Sequence, residues 1–144
     1  MKLHLQKGLT MKWLQIYDCR SPQATVTRIM AHQKTVRGLV VDSLRPYYLA
    51  TFSDGPKEPI NVWDIRKLDQ SKSRATPWKV IKDNMQSKTP FSTVTHIAWS
   101  PIKAGVLASI RTECRCVSFW DTTPTSSPKP LFISVPCQFY DMPS

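Results

Sequence analysis

Three stretches of the chain end alike. "LQIYD" (Leu14 to Asp18), "INVWD" (Ile60 to Asp64) and "VSFWD" (Val117 to Asp121) each place apolar residues at alternate positions, then an aromatic residue, then aspartate. A period of two predicts strands, because successive side chains point to opposite faces. More runs of that kind lie between the copies. "TVRGLVVD" (Thr35 to Asp42) is β-rich and ends at a polar turn, and "YYLATFS" (Tyr47 to Ser53) runs into the turn signal Asp54-Gly55. "WKVIK" (Trp78 to Lys82) predicts a short edge strand after the polar stretch 69–77. The order then repeats: "TVTHIAWS" (Thr93 to Ser100), "VLASI" (Val106 to Ile110), the third aromatic-acid copy, a Pro/Ser-rich loop, and "LFISV" (Leu131 to Val135).

The three aspartates, Asp18, Asp64 and Asp121, are spaced by 46 and 57 residues. The first spacing is near the roughly 40–45 residues of a four-stranded propeller blade, and the excess in the second falls in a polar insertion. The pattern predicts an all-β chain: an incomplete β-propeller of about two full four-stranded antiparallel blades plus a partial one. Residues 1–30 would supply the third and fourth strands of the partial blade, with part of a second in "MKLHLQKGLT". Residues 31–90 and 91–136 would be the full blades, and 137–144 a tail that begins another unit. A twisted sheet with two apolar faces needs a neighbour on each side, and propellers close with typically 4 to 8 blades. Two and a half units cannot close, so the expectation is a part of a larger propeller or a chain that needs a partner.

Composition narrows the function. The chain has 144 residues, 41% hydrophobic and 21% charged, a globular balance. Its 12 prolines argue against long helices. The net charge of +10 admits nucleic acid, anionic membranes and acidic proteins as partners. The basic residues are scattered, and the densest group, Arg66 to Lys88, is interrupted by Asp69 and Asp83, as in a solvated loop. Trp78 with Lys79 and Lys82 is the best local candidate for nucleic acid, and edge packing explains Trp78 equally simply. Cys19, Cys114, Cys116 and Cys137 follow no recognisable signal peptide, so free thiols in a reducing, intracellular setting are expected. Cys114-x-Cys116 is too closely spaced for a zinc knuckle. With 4 unclustered glycines there is no phosphate-binding loop, and no paired carboxylates stand at a strand end. No catalytic residue, cofactor, metal or small-molecule substrate is therefore predicted.

The same residues resemble WD repeats. That resemblance implies a buried structural network in the second unit: His32 in "AHQKTV", a strand hydroxyl from Ser53 or Thr51, Asp54 in "FSDG", and Trp63. A His–Asp–Ser trio also suggests catalysis, but here its spacing has a complete structural explanation. Trp99 and Trp120 are expected to pack between blades. The next unit lacks the histidine loop, since His96 sits within its first strand. From Lys34 to Pro130, "INVWDIRK", "IAWSPIKAGVLASI" and "VSFWDTTPT" are similar to the N-terminal propeller of Mios-type WD-repeat proteins. Those are scaffold subunits of the second GATOR subcomplex, which relays amino-acid sufficiency to the TOR kinase at the lysosomal surface. The resemblance implies a cytoplasmic, non-catalytic scaffold in a multi-protein complex, tied to membranes only through its partners. Lys34 and Arg37 at one rim, and Arg66 and Lys67 at the exit of the third strand, are the candidate contacts; ordinary solvated charge is the plain alternative for each. Nucleic-acid binding is the second reading.

Overall fold

The computed structural model describes residues 2–4, 12–18, 20, 25–55, 59–68, 75–82, 93–111, 116–123 and 129–136. Among the described residues eleven strands form three antiparallel sheets. β1 (Lys2–His4), β2 (Trp13–Asp18) and β3 (Thr25–Met30) make a three-stranded sheet in that order. β4 (Val36–Val41), β5 (Tyr48–Ser53), β6 (Ile60–Asp64) and β7 (Lys79–Ile81) make the middle sheet. β8 (Val94–Trp99), β9 (Val106–Arg111), β10 (Cys116–Asp121) and β11 (Lys129–Pro136) make the third. Within each sheet the strands follow chain order, as in a propeller blade. The fold is all-β, an incomplete propeller of two four-stranded blades and one of three strands. Among the described residues no helix is long and apolar enough to cross a membrane. The insertion 69–74, three of the four cysteines (Cys19, Cys114 and Cys137) and the tail 137–144 lie outside the described residues.

The sheets stack through two cores on opposite faces of the middle one. Leu49 and Trp63 pack with Leu14, Ile16, Ile29 and Ala31 of the first sheet and its exit. Ala50, Phe52, Ile60, Val62 and Ile81 pack with Val94, Ile97, Leu107 and Trp120 of the third. Neighbouring residues such as Leu49 and Ala50 thus serve different cores, which is the period-two rule at work. It also explains why β6 is buried at every position, whereas β8 is buried at Val94 and Ile97 and exposed at His96 and Ala98. Trp120 is buried, and Trp99 is half-buried against the second of these cores. Trp99 Nε1 donates to the carbonyl of Val40 at 3.2 Å, so this indole bridges two sheets.

The repeat extends to irregularities. Arg37 is left out of the β4–β5 pairing between Val36 and Gly38, and Thr95 out of the β8–β9 pairing between Val94 and His96. Such one-residue bulges bend a strand and raise its twist. Gly38 has a packing reason, since a Cβ there would lie 2.4 Å from Cε1 of Phe52. In the third sheet the corresponding pair is His96 opposite Ile110, without an aromatic ring to accommodate.

The turns at one rim are joined by a buried polar node. Asp42, fully buried after β4, accepts from the amide of Leu44 (3.0 Å), Arg45 Nε (2.9 Å) and, from the next sheet, the amide of Gly105 (3.3 Å). Arg45 also donates to Thr122 Oγ1 at 3.2 Å, and Thr122 donates to the carbonyl of Gly105 at 2.8 Å. Gly105 has a φ of +79°, and a Cβ there would meet Thr123 Cγ2 at 2.4 Å. Gly105→Ala should therefore destabilise the chain by about 1 kcal/mol or more in urea titration. Adding Thr123→Ser, which deletes the clashing methyl, should recover only part of that loss, since the left-handed backbone remains.

Candidate functional site

The chemistry-bearing residues fall into three groups: a buried network in the middle sheet, a set of aspartate caps, and charged side chains at the two rims.

The network is built around Thr51. β5 pairs with β6 so that Thr51 stands opposite Asn61, two residues from Trp63 on the same face. Trp63 Nε1 donates to Thr51 Oγ1 at 2.9 Å, and His32 Nε2 lies 2.8 Å from the same oxygen. A threonine hydroxyl has one hydrogen and two lone pairs. It accepts from the indole and exchanges its remaining bond with the imidazole in the direction the tautomer sets. Asn61 Nδ2 donates to the carbonyl of Ala31 at 2.9 Å and lies 3.5 Å from His32 Nδ1. The loop between β3 and β4 is thereby sewn to the middle sheet. His32 is 3% exposed, Thr51 0% and Trp63 1%, so no substrate can reach this trio. Asn61 Oδ1 is buried without a hydrogen-bond partner among the described residues.

Ser53 and Asp54 are not part of it. Ser53 is buried, with its hydroxyl accepting from the amide of Gly55 at 3.2 Å. Asp54 instead clamps Arg37, with Nε at 2.9 and 2.7 Å from its two oxygens and a terminal nitrogen at 2.7 Å. That hydrogen bonding holds the Arg37 guanidinium above its already high ordinary value. The His–Asp–Ser trio is thus dispersed. The third sheet keeps half of the arrangement, Trp120 Nε1 donating to Ser109 Oγ at 3.0 Å, while His96 is exposed.

Two of the strand-ending aspartates, Asp64 and Asp121, share one task. Asp64 Oδ1 accepts from the amide of Arg66 at 3.1 Å and caps a single 3-10 turn, Ile65–Lys67. The Arg66 guanidinium then closes on both carboxylate oxygens, at 3.0 and 2.9 Å. Those bonds, opposed by burial, hold Asp64 below the usual carboxylate range. Asp121 does the same with Thr123, accepting from its amide (2.9 Å) and hydroxyl (2.6 Å), and is also lowered. These capping partners, with Asp42 and Arg45, went unnoticed in the sequence; the signal available was a short polar residue two positions before an amide it could cap.

Around Arg66 the aromatic residues gather. Its guanidinium lies 4.9 Å from the ring of Tyr47 and 5.6 Å from that of Tyr48. Tyr48 packs at a tilt on Trp78, centroids 4.8 Å apart, and Arg45 covers its ring at 4.3 Å. Trp78 is thus an edge-packing residue beside the core, and Lys79, at 5.1 Å from its ring, is buried. That arrangement offers nucleic acid no open stacking platform. Lys67 and Lys34 are exposed, at opposite rims.

No family model matches the chain. Among curated proteins, "GATOR2 complex protein MIOS" of Dictyostelium discoideum is 34% identical over 114 residues, covering 79% of this chain. The chain is similar to MIOS. The Xenopus laevis MIOS-A and Danio rerio MIOS proteins are 26% and 25% identical over 115 residues each. The matched segment is 9% to 11% of these relatives, so the MIOS-like chain spans about a tenth of their length. Among solved structures, a chain of the "Crystal Structure of Mitotic Checkpoint Complex" superposes with a TM-score of 0.61 at 18% identity. The match covers 85% of this chain and 33% of that one. At that identity the likeness establishes the WD-type propeller fold and nothing further.

Two measurements follow from this geometry. Thr51→Val keeps the volume but leaves Trp63 and His32 without their shared hydroxyl. It should cost about 1–3 kcal/mol in urea titration, and Thr51→Ser clearly less. Asp64 has a folded value below its unfolded one, so its contribution is complete above about pH 4 and fades as pH falls through the folded value. Wild-type stability should thus drop as pH is lowered from about 4 toward 2, and Asp64→Asn should be less stable at pH 6 yet show a shallower drop.

Proposed function

We propose that this chain serves as a non-catalytic scaffold element of a GATOR-type complex. In this reading it helps to regulate TOR kinase signalling in response to amino acids. The observation that carries the proposal is the 34% identity to a GATOR2 complex protein over 114 residues. The buried state of the His32–Thr51–Trp63 trio supports a structural rather than catalytic role for it. In this reading the blades supply rigidity and the rims supply contacts. Lys34 and Arg37 offer contacts at one rim, Arg66 and Lys67 at the other, to protein subunits rather than small molecules. The chain would work in the cytoplasm and reach the lysosomal surface through its partners. The packing of Trp78 on Tyr48 gives the nucleic-acid reading no support.

The test is affinity purification of the tagged full chain from cells of its own source, followed by identification of co-purifying proteins. Other GATOR2 subunits should be recovered at near-stoichiometric amounts. Recovery of none, from a chain that is folded and soluble, would refute the assignment.

A further inference from the structure

The two turns tied together by Asp42 and Arg45 carry most of the exposed apolar side chains. Of the five large hydrophobic residues that are exposed among those described, Val41 ends β4, Leu44 and Tyr47 belong to the β4–β5 turn, and Ile102 to the β8–β9 turn. Tyr47 is 51% exposed and Ile102 90%. The two turns share a rim, because Asp42 bonds the amide of Gly105 across the sheets. Arg66, at the end of β6, reaches the same rim through Tyr47 and Tyr48.

Charge identifies what fits there. Among the described residues nine lysines and arginines are exposed, whereas Asp42, Asp54, Asp64 and Asp121 are buried or half-buried. At this rim Asp42 and Asp64 are internally neutralised by Arg45 and Arg66, and Lys67 and Lys103 stand exposed beside the apolar turns. A cationic surface with protruding aliphatic and aromatic side chains is complementary to an acidic segment bearing apolar anchors. Nucleic acid would use the charge but leave Ile102 and Leu44 without partners.

We propose that this rim docks an acidic segment of a partner protein, one that sets apolar side chains against Leu44, Tyr47 and Ile102 and carboxylates against Lys67 and Lys103. The proposal rests on the scaffold reading and refines it: of the two rims, this one carries the contact.

The test uses the purified full chain and four fluorescein-labelled probes read by anisotropy. These are a peptide alternating glutamate with leucine and phenylalanine, its glutamate–serine counterpart, its lysine–leucine counterpart, and a poly-uridine oligonucleotide. The acidic-apolar peptide should bind at least tenfold more tightly than the other three. Tyr47→Ser with Ile102→Ser should remove at least that tenfold, and so should Lys67→Glu with Lys103→Glu. Lys12→Ser, on the opposite rim where the Lys12 carbonyl accepts from the amide of Ala31, should leave binding unchanged. Tryptophan fluorescence identical to that of the wild type would show that the variants are folded. Equal binding of the glutamate–serine peptide, tighter binding of poly-uridine, no binding of any probe, or insensitivity to the rim variants would each overturn the proposal. Failure of the scaffold reading is seen separately. If the wild-type chain recovers no GATOR2 subunit from cells, that reading falls; if it recovers them and rim variants recover them equally, only the rim proposal falls.

Discussion

The two central strands of the middle sheet have no wet face, and the rest of the structure follows from that constraint. β5 is buried from Leu49 to Ser53 and β6 over its whole length, so every polar group on them must find a partner inside the protein. Thr51 and the Asn61 amide nitrogen face the first sheet and are satisfied through Trp63, His32 and the carbonyl of Ala31, while Asn61 Oδ1 alone stays unpaired among the described residues. The loop before β4 is drawn down onto the sheet because its histidine is the group that meets this need. Hydrogen bonding here is less a source of net stability than the condition under which two-sided burial is tolerable.

The caps solve the same problem at strand ends. A strand that stops at a buried rim leaves amides in the following turn without ladder partners. Asp42, Asp64 and Asp121 each accept from the amide two residues on. Two of them are then balanced by arginines, and the third accepts a further bond from a threonine hydroxyl. The side chain that closes on the aspartate differs from turn to turn, but the amide-capping role does not. This is why the acid is the repeated letter of the motif while the residues after it vary.

That repetition made the fold legible. Period-two alternation located the strands to within a residue or two, and the three aromatic-acid endings gave their grouping into sheets. The partners of individual side chains were less legible. Ser53 and Thr51 lie on the same face of β5, and only the register that sets Thr51 opposite Asn61 and next to the Leu49–Trp63 pair selects Thr51. Asp54 follows a serine in a turn and reads as a network member, yet the bulge at Arg37 brings a guanidinium to it first. Asp42 reads as an ordinary turn residue, because its partners Gly105 and Arg45 come from contacts between sheets that no local pattern announces. Burial of both faces can be guessed from composition; which atom meets which depends on register and on neighbouring sheets.

The Asp42–Arg45–Thr122 connection bears on how the two complete sheets respond to load. Packing alone lets stacked sheets slide, because dispersion contacts have little directional preference. A buried carboxylate and a guanidinium that also grips Thr122 resist shear along the stack. A tug on the exposed turn around Leu44 would therefore be passed to the neighbouring sheet as a rigid displacement, with the two turns behaving as one mechanical lever instead of two independent hinges.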